Sequence, residues 1–134
     1  MKKIISLIVC SVMFFCLCAC GGKVKNVKVI DVESNIYTSD EINSAIEVIK
    51  KEFSKDWKGC TLKEIYYAGD ETSRKFQDWA DRNGADEVMV LLSSFDVDSS
   101  GGDGSLNPNS TYDGWNWILV RNKGGEWKHV DHGY

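Results

Sequence analysis

Between Ile42 and Trp57 the apolar residues Ile42, Ala45, Ile46, Ile49, Phe53 and Trp57 recur at steps of three and four. That spacing lays them in a single stripe along an α-helix. The preceding Tyr37-Thr38-Ser39-Asp40-Glu41-Ile42 reads as its start. Thr38 caps the first turn, Glu41 reaches back to the Thr38 amide, and Tyr37 packs on Ile42 as a hydrophobic staple. Gly59 stands where such a helix stops. A helix with one apolar stripe must lie across something flat, so the rest of the chain has to supply a sheet.

The remaining segments read that way. Val27 to Val32 is β-branched and strand-like, and Cys60 to Ala68 carries the β-formers Leu62, Ile65, Tyr66 and Tyr67. A shorter helix is predicted from Thr72 to Asn83, with Phe76, Trp79 and Ala80 on one side and Gly84 as its stop. Its apolar face is narrow, which suits the cover of a sheet edge. Val88 to Val97 is a third strand, followed by a loop from Asp98 to Tyr112 rich in Gly, Ser, Asn and Asp. Trp115 to Val120, the turn Asn122-Lys123-Gly124-Gly125 and the segment Glu126 to Tyr134 form a hairpin. The expected class is α+β, a curved antiparallel sheet packed around one long amphipathic helix, with a short second helix. Trp115, Trp117 and Leu119 share one strand face and are the expected partners of Ile46, Ile49 and Phe53.

The chain opens with Met1, Lys2 and Lys3, then runs from Ile4 to Ala19 without a charge, the build of a secretory signal. It ends in Leu17-Cys18-Ala19-Cys20, which resembles the lipobox of bacterial lipoprotein precursors, so Cys20 is the expected lipidation site and new N-terminus. Cys18 is the poorer acceptor because bulky Leu17 precedes it. Two other readings exist, a transmembrane anchor and cleavage after Ala19 to a soluble protein. The run is short against the roughly 20 residues a membrane-crossing helix needs, and no basic cluster closes it. Each buried methylene contributes about 0.8 kcal/mol, so two acyl chains hold a protein firmly with no further anchor. The expected organisation is a signal over 1–19, a lipidated tether over 20–26 and one domain over 27–134, at the extracytoplasmic face of the cell membrane.

Without residues 1–19, 115 of 134 residues remain, within the usual size of one domain. Loss of Lys2 and Lys3 leaves 14 basic residues of 16 against 20 acidic ones, so the net charge moves from -4 to -6, which argues against a nucleic-acid partner. Four of five cysteines fall in the address segment. Cys60 alone remains beyond it, with no intrachain disulfide partner there and the character of a buried small apolar group.

Taken together, Ile36-Tyr37-Thr38-Ser39-Asp40-Glu41-Ile42, Lys58-Gly59-Cys60-Thr61-Leu62, Asn83-Gly84-Ala85-Asp86-Glu87, Ser93 to Tyr112, and Trp115-Asn116-Trp117-Ile118-Leu119-Val120-Arg121 cover most of the chain beyond the signal. They resemble a family of small lipoproteins of Gram-positive bacteria that carry a domain of unknown function. The resemblance implies export and a cystatin-like or NTF2-like fold, in which a sheet wraps a helix. It brings no activity and no catalytic residue with it.

Few constellations suggest chemistry. Asp96, Asp98 and Asp103 open a stretch that resembles a calcium loop, with oxygens at alternate positions and Gly101 at the sixth. Its twelfth position is Asn107 rather than a bidentate Glu, and turn formation explains the same composition. His129 and Asp131 share a strand face while His132 points oppositely, so the three meet only if the strand bends. A nucleophilic pair of Cys60 with His129 or His132 needs contact in space, an orienting group and an oxyanion site. Five tryptophans are many for this size; Tyr112 and Trp127 are the aromatics expected to be exposed and to form a binding surface.

The expected function is a membrane-anchored, non-catalytic binding or structural module. Its partner would be an extracellular protein, peptide or envelope component, and no cofactor is assigned. A small-pocket enzyme and a calcium-dependent adhesion module are the alternatives.

Overall fold

A computed structural model describes residues 21–134; the signal segment and Cys20, the expected lipidation site, lie outside the described residues. The chain runs β1 (Lys28–Ile30), α1 (Ser39–Asp56), β2 (Cys60–Tyr67), α2 (Asp70–Lys75), α3 (Gln77–Arg82), β3 (Glu87–Val97), β4 (Ser110–Arg121) and β5 (Lys128–Gly133). The class is α+β, with an open, curved sheet in the order β1-β2-β3-β4-β5.

The start of α1 is built as its residues dictate. The Glu41 N–H donates to Thr38 Oγ1 at 3.2 Å, and the Thr38 N–H donates to Glu41 Oε1 at 2.9 Å. These two bonds satisfy donors that a helix N-terminus otherwise leaves open. The helix is 18 residues long, about 27 Å, and buries Ile42, Ala45, Ile46, Ile49 and Phe53 against the sheet.

The sheet is mixed rather than antiparallel throughout. β1 pairs with β2 in parallel, Val29 opposite Ile65, because α1 carries the chain back along the sheet before β2 begins. The other three pairings are antiparallel. Register shifts interrupt β2 between Leu62 and Glu64, β3 between Ser93 and Phe95, and the β4–β5 ladder between Ile118 and Leu119. Such bulges bend strands and increase their twist.

One face of the sheet and α1 enclose the main core, where Phe53, Ile65, Phe95, Trp117 and Leu119 are fully buried. Trp117 Nε1 donates to Ser93 Oγ at 2.7 Å, so the buried indole is satisfied. Trp117 and Leu119 face α1 as expected; Trp115 is half-buried beside them. The expected single helix over 72–83 is two six-residue helices that meet at Phe76. They do not cover an edge. Ala80, with Phe76 and Trp79, packs on Val88, Ile118 and Val120, the outward-facing residues of the two central strands. The break at Phe76 lets both aromatic rings reach that patch. The loop is shorter than expected, because β4 already begins at Ser110.

Gly21 and Gly22 lie against the last turn of α1. The Gly22 N–H donates to the Phe53 carbonyl at 3.1 Å, and the Lys23 N–H to the Cys60 carbonyl at 2.9 Å. A Cβ on Gly21 would stand 1.6 Å from the Ser54 carbonyl oxygen, and one on Gly22 would stand 2.4 Å from the Phe53 carbonyl oxygen. Only glycine admits this approach. No helix among the described residues is long and apolar enough to cross a membrane.

Candidate functional site

At the C-terminal end of α1 the chain must turn sharply into β2, and Gly59 does so at φ +77°. There the Asp98 N–H donates to the Gly59 carbonyl at 2.9 Å, and the Asn109 N–H returns to the Asp98 carbonyl at 2.9 Å. These two bonds pin both ends of the 98–109 loop beside the helix end. A cleft of about 290 Å³ opens between that loop, the end of α1 and β4–β5; its walls include Trp57, Cys60, Asp103, Leu106, Trp115 and His132.

The lining of the cleft sets the rings of Trp57, Trp115 and His132 beside the polar Asp56, Lys58, Asp103 and Ser105. Trp57 lies 5.9 Å from Trp115 and 5.0 Å from Trp117, each edge to face. The His132 ring is 5.1 Å from Trp57 and stacks on Trp115 at 5.9 Å. Trp115 Nε1 is buried and has no hydrogen-bond partner among the described residues.

β5 places both histidines beside this cleft. A strand of strict alternation would send them to opposite faces, but Leu119 pairs with His129 and Ile118 with Asp131, so Val130 is an extra residue. The bulge supplies the bend, and both imidazoles face α1. His129 Nε2 and His132 Nδ1 are 3.3 Å apart. His129 Nδ1 lies 2.5 Å from Glu52 Oε2, and its Nε2 lies 3.0 Å from the Asp131 carbonyl. Asp131 does not join through its carboxylate, which accepts the His132 N–H at 2.9 Å instead. Burial, and then the neighbouring His129, hold the His132 pKa below its usual value.

Cys60 is buried, as expected. It lines the same cleft as His132, but burial first, then Asp98 and Asp103, push its thiol up to about 11. A thiol so protonated is a poor nucleophile at neutral pH.

The three aspartates of the loop are each engaged separately. Asp98 Oδ1 accepts the N–H and hydroxyl of Ser100 at 2.9 and 2.5 Å, and Asp103 Oδ1 accepts those of Ser105 at the same distances. Asp96 Oδ1 accepts the Thr111 hydroxyl at 2.7 Å. The serine hydroxyls hold the Asp98 and Asp103 carboxyls below their ordinary pKa. Among the described residues no three His, Cys, Asp or Glu side chains gather as a metal-binding group.

Of the two aromatics expected at the surface, Trp127 is not there. It is 6% exposed, covered by Arg121 at 4.3 Å and by Tyr37 edge to face at 5.4 Å. Tyr112 is half-buried, stacked on Phe95 at 5.2 Å, and its hydroxyl accepts the Asn107 N–H at 3.0 Å. The residues that form the cleft instead, Trp57, Trp115 and Leu106, were read as core or loop. The His129-x-x-His132 spacing was the one available signal, and the alternation rule argued it away. No family model, curated protein or solved structure matches the chain.

Proposed function

We propose that the protein is a lipid-anchored extracytoplasmic lipoprotein whose domain is a non-catalytic binding module, with the aromatic cleft at the end of α1 as its ligand seat. The observation that carries this reading is the pair Trp57 and Trp115 on an open cleft, beside the polar side chains of Asp103, Ser105 and His132 in its lining. Aromatic faces with a few polar groups suit sugar rings and peptide side chains. The partner class is an extracellular peptide or an envelope component. A small-pocket enzyme would need a hollow between helix and sheet, whereas Phe53, Phe95 and Trp117 fill that space. One long helix across a curved sheet supports a cystatin-like or NTF2-like reading of the fold.

Tryptophan fluorescence of the full chain, titrated with soluble glycan and peptide fragments of a bacterial envelope, tests the module. Saturable binding that Trp115→Ala abolishes supports it. Failure of every fragment to bind, or binding unchanged in Trp115→Ala, refutes the assignment of the cleft. Detergent phase partitioning tests the anchor, which fails if Cys20→Ala leaves the distribution unchanged.

A further inference from the structure

We propose that His129 and His132 form a binding site for a zinc-like divalent transition-metal cation, with Glu52 as the residue that positions His129. The proposal is independent of whether the neighbouring cleft holds an organic ligand.

The argument begins with proton placement. The Glu52 carboxylate lies 2.5 Å from His129 Nδ1. An ionised carboxylate only accepts, so Nδ1 carries the hydrogen, and Nε2 is the nitrogen this tautomer offers to a metal. That nitrogen faces two more electron donors, the Asp131 carbonyl oxygen at 3.0 Å and His132 Nδ1 at 3.3 Å. Two nitrogens and an oxygen thus converge at one place. A divalent cation set among them would take all three as ligands.

Distance and chemistry select its class. Two imidazole nitrogens bound at about 2.0–2.1 Å to a tetrahedral ion stand roughly 3.3–3.4 Å apart, and these stand 3.3 Å apart. Imidazole nitrogen suits zinc, copper and nickel over calcium or magnesium, which take oxygen. A carboxylate on the far nitrogen of a ligating histidine is the usual outer partner of such sites, fixing tautomer and ring orientation. Glu52 stands in that place from α1, a different element. His132 lies at the surface, so water can complete the coordination.

The test is calorimetric titration of the untagged full chain with Zn²⁺ alone, beside ¹H–¹⁵N spectra of the imidazoles. The expected result is one ion per chain, with both rings shifting together. His132→Ala should weaken binding by about 100-fold with the melting temperature unchanged. Glu52→Ala should weaken it by about 10–100-fold and remove the Nδ1-protonated signature of His129, a change that a merely structural glutamate would not produce. If His132→Ala fails to fold, the wild-type imidazole shifts decide. The proposal is overturned if Zn²⁺ leaves both rings unshifted, if His132→Ala binds as wild type does, or if Ca²⁺ displaces Zn²⁺ at equal concentration. A Glu52→Ala variant with unchanged affinity and tautomer removes Glu52 from the site.

Discussion

The guanidinium carbon of Arg121 lies 4.3 Å from the centre of the Trp127 ring. Its Nε donates to Glu87 at 2.6 Å, and its Nη2 is paired with Glu41 at the start of α1. One side chain therefore ties β4 to β3, to the helix start and to the segment before β5. Truncation would leave two carboxylates facing each other and uncover an indole. Arg121→Ala is expected to cost about 3 kcal/mol. Arg121→Lys should cost roughly half of that, since lysine keeps the charge but loses the fork. Urea denaturation measures both: equal stabilities for the two variants would show that the retained charge contributes nothing, and a lysine variant as stable as the wild type would show that charge alone matters.

Acid should loosen the same corner. The Thr38 N–H first, and Arg121 next, hold the Glu41 carboxyl below the ordinary glutamate value of 4.5. A carboxyl lowered in the folded state stabilises fully above its unfolded value. As pH falls below 4.5 the unfolded chain takes up the proton first, and the contribution is lost through the folded value. The melting temperature should fall on acidification below about pH 4.5, and less steeply in Glu41→Gln. Parallel curves for the two proteins would count against this account.

Cys60 should react slowly. With its thiol pushed up to about 11 from an ordinary 9.0, the thiolate fraction at pH 8 is about a hundredfold smaller than for an unburied cysteine. Iodoacetamide should label the native chain at least that much more slowly than the urea-unfolded chain. Comparable rates in the two states would show the thiol to be open.

Gly22→Val should undock the N-terminal segment, because its side chain would strike the Phe53 carbonyl and ring. The expected cost is about 1–2 kcal/mol, with new tryptic cleavage after Lys23 and Lys25. An unchanged digest would mean that the chain finds another path past Phe53.

The helix, its cap and the residues it buries were legible because their signals are local: a period, a box and a stop within twenty positions. What was missed depends on distant partners. Nothing within β1 announces that it runs parallel to β2, since alternation does not carry direction. The extra residue Val130 breaks the rule that separated His129 from His132, and a bulge leaves no mark in a two-residue period. Trp127 was expected at the surface because Arg121 and Tyr37, which cover it, come from other elements. The cleft escaped notice for the same reason: Trp57, Leu106 and Trp115 belong to a helix end, a loop and a strand.

The bond between Gly22 and Phe53 has a geometric corollary for a chain acylated at Cys20. Gly21 alone then separates the greasy residue from the first pinned amide, a leash of about 7 Å at full stretch. So short a leash would leave the body little room to sway above the headgroups.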